Sequence, residues 1–372
     1  MDEEKTLNKI IRQFAIYGDL TEIKPLRTGH INATFISVWS QAGTVLRYIH
    51  QRINVHVFHH PDQVMENIKR ITDHIRCSLL RDGIEDVSRR TLTVIPSCEG
   101  KLWVRDGEGG WWRTYLFIEG CRTPELTISQ DNARFLGNSI ASFQCQLADL
   151  GGPRLHETIP LFHNMENRYR QFYQALSADS RSRAKEVKKE IAFMQGNEER
   201  GTVLVRSLRS GIIPERICHN DAKMNNILID EFSSKALCVI DLDTVMPGTS
   251  LFDLGDLIRT VTNRAEEDEQ DLSKVEFDLE YFNALLDGYL SGAIIFLVPA
   301  ELDLLCESGR NITQIMGLRF LTDYLEGDHY YHIDRPEHNL DRCRTQIKLI
   351  QSMDIKWETA LAISRQLCKK HA

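Results

Sequence analysis

The chain lacks any long apolar run. Its longest, Ala293 to Val298 within YLSGAIIFLVPA, falls far short of the roughly 18 residues a membrane-spanning helix needs, so a membrane partner is not expected. CxxC pairs are also missing, and the nine cysteines are an odd number. That pattern suits reduced thiols in a cytoplasm better than a disulfide framework or a zinc site. Prolines number only 10, against 42% hydrophobic and 26% charged residues, which excludes a disordered or fibrous chain. Positive charge is in deficit, with 45 Lys and Arg against 53 Asp and Glu, a net charge of −8. A general nucleic-acid binder needs the opposite balance. The N-terminus, MDEEKTLNKI, is acidic and amphipathic where a secretory signal would be basic and then apolar. A cytoplasmic protein is expected, and 372 residues are enough for two structural units.

What is present changes texture once along the chain. Leu7, Ile10, Ile11 and Phe14 form a helical stripe, and short β-prone runs follow from about 21 to 118. One helix interrupts them after Pro61, with Val64, Ile68, Ile71 and Ile75 at helical spacing. Beyond Gly120 helical patterns dominate, near 129–148, 163–177, 180–208, 276–291, 298–326 and 338–369. A compact β-rich piece from Ile217 to Val245 breaks them. The expected division is an N-terminal lobe, residues 1–118, and a C-terminal lobe, residues 119–372. The order, a small antiparallel β-lobe with one helix and then a larger mainly helical lobe, is the α+β arrangement with which two-lobed kinases trap a nucleotide.

The segment ICHNDAKMNNILIDEFSSKALCVIDLDTVMPG, residues 217–248, carries the chemistry. Phosphoryl transfer to a hydroxyl calls for a carboxylate that takes the hydroxyl proton, and for oxygen ligands on the magnesium that neutralises the phosphates. Asp221 is the candidate base. Asn226 and Asp241 are the candidate metal ligands, brought together by a hairpin of two apolar strands. Lys223 is placed to hold the γ-phosphate as a point charge. Asp243 is a candidate for substrate or metal, or for a role behind them. Asp253 reads as a tie to the catalytic loop, with Ser250 or Asp253 starting a helix, and His219 as a packing residue behind that loop.

In the N-terminal lobe, Leu26 to Phe35 lies between two expected strands where a phosphate-covering loop belongs. Thr28 and Gly29 are its candidate contacts, with a plain turn as the alternative. A cation on the third strand, paired with a glutamate on the next helix, is needed for the α- and β-phosphates. VLRYIHQRIN offers Arg47, Gln51 and Arg52, and Glu66 is the helix candidate. Pattern alone does not choose among the three. Phe117, Ile118 and Glu119 are the candidate backbone contacts for adenine.

The H-x-D-x-x-x-x-N signature followed by I-D-x-D resembles the catalytic core of the aminoglycoside phosphotransferase and choline kinase superfamily, with Asn220 where that superfamily usually has glycine. Over most of the chain the text is similar to N-acetylhexosamine 1-kinases. The matching blocks are QRIN with the F-x-x-P-x-x-V-M-x-N-I that follows it, HNDAKMNN, VIDLDTVMPG, LRFLTDYLEGDHYY and HNLDRCRTQ. The resemblance implies a protein-kinase-like fold, ATP and Mg2+ as cofactors, and phosphorylation of the anomeric hydroxyl of N-acetylglucosamine or N-acetylgalactosamine. Arg319 and Asp323, four apart on an expected helix, are then candidate sugar ligands, with a surface ion pair as the alternative. His30 and Asn32 would close from the small lobe. Tyr324, Tyr330 and Tyr331 offer either aromatic surface or core packing. An aminoglycoside acceptor would need an acidic cleft, to which Asp243 or Glu326 could contribute, and choline an aromatic cage. Homoserine-type acceptors occur in the same superfamily. A nucleotide-binding module without turnover is the remaining reading, disfavoured by intact Asp221, Asn226 and Asp241.

Overall fold

Alternating apolar residues build an antiparallel sheet in which β1 (Asp19–Leu26), β2 (Ala33–Gln41), β3 (Thr44–Ile53), β4 (Val94–Ile95), β5 (Val104–Arg105) and β6 (Trp111–Leu116) pair in the order β1-β2-β3-β6-β4, with β5 also on β6. The computed structural model describes residues 2–26, 31–123, 129–233 and 235–372. Helix α1 (Asp2–Ile11) lays Leu7, Ile10 and Ile11 onto the sheet. Together with Phe14 they bury against Trp39, Tyr48, Val104 and Trp112. Helix α2 (Pro61–Arg81) starts on a proline, whose missing N–H costs nothing in a first turn. It buries Val64, Ile68, Ile71 and Ile75, the stripe expected from the sequence.

Two compact units result. The first comprises Met1–Thr123, Asp149–Pro160 and Ile227–Met246; the second comprises Pro124–Ala148, Leu161–Asn226 and Pro247–Ala372. Compared with the expected division at 118/119, two later segments join the first unit, and both are held by hydrogen bonds that sequence periodicity does not reveal. The strand β7 (Cys121–Arg122) pairs with the strand Ile227–Asp230. Arg89 donates to the carbonyls of Glu119 and Gly120 and, at 2.7 Å, to the Asp230 carboxylate. From α2, Asn67 donates to the His156 and Val245 carbonyls, and Arg70 to those of Gly151 and Pro153.

The second unit is helical. Its helices Gln130–Leu147 and Leu279–Ala293 approach so closely that a Cβ on Gly288 would lie 1.8 Å from the Arg134 carbonyl oxygen. The expected helix at 180–208 is instead a chain of short turns and helices, with Val187 and Met194 among its few buried apolar anchors. The expected helices at 298–326 and 338–369 each break once, at Leu304 and Lys356.

Asp287 on the helix Leu279–Ala293 clamps the final helix, Trp357–His371, by accepting from Lys370 and His371 at 2.7 Å each and from Arg134 at 3.1 Å. Burial alone would raise this carboxyl, but those partners hold it down at about 2. A depressed carboxyl stabilises the fold above its ordinary value near 4 and loses that contribution as pH falls toward the folded value. Asp287→Asn is therefore expected to cost about 2 kcal/mol at pH 7. Urea denaturation should show the gap closing toward pH 2, whereas a pH-independent gap would contradict the clamp.

Candidate active site

The loop that carries Asp221 is approached by the strand Arg216–Cys218. Arg216 fixes it by forking onto Glu301, at 2.8 and 2.6 Å, and Glu301 also accepts from Ser250 and from the Val298 N–H. His219 and Asn220 follow, and their backbone N–H groups both donate to Asp253, at 3.0 and 2.7 Å; Gln144 donates to the same carboxylate at 2.8 Å. Asp253 is fully buried. Burial raises its pKa, an effect that the neighbouring His219, these two N–H groups and Gln144 only partly offset. It lies in the first turn of the helix Ser250–Val261, whose capping side chain is Thr249 rather than Ser250 or Asp253.

Asn220 has φ 63°. This left-handed conformation is the one glycine adopts freely and asparagine tolerates best among the other residues. That accounts for an asparagine at the glycine position of the signature. Its side chain closes back on the Cys218 carbonyl at 3.1 Å. His163 holds the other side of the loop. A carbonyl only accepts, so the His163 Nε2–H donates to the Asn220 oxygen at 2.9 Å. Burial first, and then the neighbouring Arg319 and Arg168, bring this imidazole down to about 3, so it stays neutral. His219 is buried with its ring 5.8 Å from that of Phe143, and its Nδ1 accepts the Asp221 N–H.

Asp221 carries its carboxylate at the end of this scaffold. Its Oδ2 accepts from Lys223 at 2.8 Å and from Asn226 at 3.1 Å, and Asn226 also donates to the Asp221 carbonyl at 2.9 Å. Burial raises the Asp221 pKa, but Lys223, His219 and Asn226 outweigh it and hold the group below its ordinary value. It is a carboxylate at neutral pH, the form a base requires. With its NH2 spent on Asp221, Asn226 keeps its amide oxygen for a cation. Ile227 pairs with Val239 across the hairpin Ile227–Asp230/Ala236–Val239. Asn226 and Asp241 therefore flank the same end of that hairpin in sequence. Asp241 has φ 61° and opens the 3₁₀ turn Leu242–Thr244. An amide and a carboxylate oxygen are the hard donors magnesium takes. No group of three or more His, Cys, Asp and Glu able to hold a metal occurs among the described residues. The donor set fits an ion that keeps waters and phosphate oxygens for most of its shell.

Within the first unit, the sequence-expected phosphate cation takes a different form. Arg47 pairs with Glu119, not with Glu66, and stacks over Phe117 at 4.0 Å. Glu66 pairs with His156 at 3.0 Å, so the expected pair between the third strand and the following helix is absent. Arg52 reaches Asp106 and Glu108, each at 3.4 Å. Gln51 accepts from Arg113 at 3.0 Å. Among the described residues of this unit the buried guanidinium is that of Arg113, missed by the sequence reading, and it forks onto Asp243. Asp243 and Asn32, expected at the acceptor, are bonded to each other at 2.7 Å, and Asn32 also accepts the Asn54 N–H. The Phe117 N–H donates to the Arg47 carbonyl, the Ile118 carbonyl accepts from the Cys121 thiol, and the Glu119 carbonyl accepts from Arg89. Thr28, Gly29 and His30 lie outside the described residues.

Residues 22–293 match the phosphotransferase enzyme family. The chain belongs to that family. Solved structures agree on the fold. A microcompartment-associated aminopropanol kinase superposes with TM-score 0.58 at 15% identity, covering 97% of this chain and 99% of its own. A choline kinase from Cryptosporidium parvum Iowa II gives 0.52 at 13% identity, covering 93% of each chain. A spectinomycin phosphotransferase, solved with ADP and spectinomycin, gives 0.50 at 13%, covering 95% of each. At such identities the likeness is one of fold, the kinase-like α+β arrangement of a small β-lobe and a larger helical one.

Arg319 and Asp323 of this phosphotransferase lie beyond the matched span. They do not act as a pair. Asp323 is buried, and its oxygens accept the N–H groups of His329, Tyr330 and Tyr331 and the Asn339 amide, holding the turn after its helix. Arg319 instead has Phe162, Tyr330 and Tyr331 around its guanidinium, with ring centroids at 5.3, 5.4 and 5.4 Å. Tyr324 is core. Arg168 donates to the Phe162 carbonyl and Gln171, and burial together with the nearby Arg319 brings it down to about 10. Among the described residues neither arginine pairs with a carboxylate.

The left-handed turn at Asn220 is directly testable. Asn220→Gly and Asn220→Ala both lose the bond to Cys218, so their difference isolates the backbone. The glycine variant is expected to be more stable by about 1 kcal/mol in urea denaturation. Equal stabilities, or a more stable alanine variant, would count against the strained turn.

Proposed function

We propose that the protein transfers the γ-phosphate of ATP, bound with Mg2+, to the anomeric hydroxyl of an N-acetylhexosamine, giving the sugar 1-phosphate. Asp221 accepts the hydroxyl proton. The anomeric hydroxyl is the most acidic on a sugar, which suits a carboxylate base. Lys223, bonded to Asp221, keeps that base ionised and supplies positive charge to the incoming phosphate. Asn226 and Asp241 would hold the magnesium ion. When bound, the ion neutralises charge on the β- and γ-phosphates.

The acceptor class rests on Arg319. A quaternary ammonium or a polyamine needs a free aromatic cage or an acidic wall. In the second unit the faces of Phe162, Tyr330 and Tyr331 are already taken by the protein's own guanidinium, with Arg168 as a second positive charge. Both charges act on His163, and so does Asp221. In the first unit Asp243 is neutralised by Arg113. This distribution favours a neutral, hydroxyl-rich acceptor, to which guanidinium N–H groups donate, over choline, ethanolamine or an aminoglycoside.

The test is a panel of acceptors with ATP and magnesium, with products read by phosphorus and carbon NMR. N-acetylglucosamine and N-acetylgalactosamine are expected to be phosphorylated at C1, and choline, ethanolamine and spectinomycin to remain unreacted. Phosphorylation of a cationic acceptor in preference to the sugars would overturn the acceptor class. ATP binding without transfer to any acceptor would favour a binding module.

A further inference from the structure

The third strand carries no lysine, and its Arg47 is engaged by Glu119. Yet the first unit does bury a cation. Arg113, in the aromatic strand β6, is 1% exposed. A guanidinium so far from water needs every donor matched. Its two terminal nitrogens fork onto the two oxygens of Asp243, the second at 2.9 Å, and its Nε donates to Gln51, its partner in the β3–β6 register, at 3.0 Å. Asp243 also accepts from Asn32, which in turn accepts the Asn54 N–H. The Asp243 Oδ1 is thus held by Arg113, and its Oδ2 by Arg113 and Asn32 together.

Asp243 stands inside the 3₁₀ turn Leu242–Thr244 that Asp241 opens with φ 61°. A left-handed backbone at a residue bearing a Cβ persists only where its surroundings over-determine it. The clamp on Asp243, two residues on, supplies that constraint. We propose that Arg113 is a positioning residue: through Asp243 it holds the turn that aims the Asp241 carboxylate at the metal–nucleotide complex. This rests on Asp241 being a metal ligand, as read above. It also makes Asp243 part of that support rather than a ligand, because its carboxylate is buried and already accepts from Arg113 and Asn32.

The test uses the full chain and two readouts, thermal denaturation and calorimetric titration with ADP, in magnesium and in EDTA. The first variant is the double Arg113→Met/Asp243→Asn, which leaves no unpaired buried charge. It is expected to melt near the wild type and to bind ADP in EDTA normally, but to bind ADP in magnesium at least about tenfold more weakly, the usual loss when a residue behind a metal ligand is removed. Unchanged affinity in magnesium would overturn the proposal. Should the double variant not fold, Arg113→Lys decides: it keeps the charge and loses the fork. The same weakening is expected there, and wild-type affinity would reject the positioning role. A wild-type protein whose ADP binding ignores magnesium would remove Asp241 as a ligand and this inference with it. A magnesium-dependent wild type with unaffected variants sinks the inference alone.

Discussion

A carboxylate held out of water and aimed at two consecutive backbone N–H groups organises the loop that carries Asp221. Asp253 does this for His219 and Asn220. Buried backbone donors must find partners, and a loop cannot provide them from a ladder as a strand does. Presenting the acceptor from a helix solves that problem and fixes the loop at once. Glu301 repeats the solution one step earlier, holding Arg216 at the start of the strand that leads in. With His163 on the Asn220 carbonyl, the loop is fixed through both its donors and its acceptor. Asp221 therefore projects from a fixed frame although it lies in irregular chain, which suits its proposed role as a base.

The two units treat charge differently. In the first, the buried acid Asp243 is matched by Arg113. In the second, Arg319 and Arg168 have no carboxylate partner among the described residues, one standing among aromatic rings and the other on a carbonyl. Uncompensated guanidinium groups repel a cationic acceptor and donate readily to sugar hydroxyls or an acetamido carbonyl. The proposal of a neutral acceptor rests on this contrast between where charge is cancelled and where it is left.

Much of the architecture is legible in the sequence because its signals are local. The stripe Val64, Ile68, Ile71, Ile75 and the stripe Leu7, Ile10, Ile11 mark helices that bury those residues. The loop and hairpin that carry Asp221, Asn226 and Asp241 are legible because the signal runs contiguously from His219 to Asp243. The β3 cation was not, because the pattern Arg47, Gln51, Arg52 says nothing of Glu119 or Arg113, which reach that strand from 60 to 70 or so positions away. One clue was present. An arginine inside WWRTYL sits in a strand too aromatic to be exposed, and a buried guanidinium demands an acid. Arg319 and Asp323 mislead in the opposite way: helical spacing puts them side by side, but the turn after the helix takes the Asp323 oxygens for three backbone N–H groups. Likewise the segments Asp149–Pro160 and Ile227–Met246 join the first unit through hydrogen bonds from Asn67, Arg70 and Arg89, which no periodicity encodes.

The proposed phosphoryl transfer turns on proton transfer to Asp221. Asp221→Asn keeps the shape of that side chain and removes its basicity, so single-turnover phosphoryl transfer, measured beside calorimetric ATP affinity, isolates the step. Transfer slowed by at least about a hundredfold with ATP affinity retained is the expected result. Transfer at a near-normal rate would contradict it.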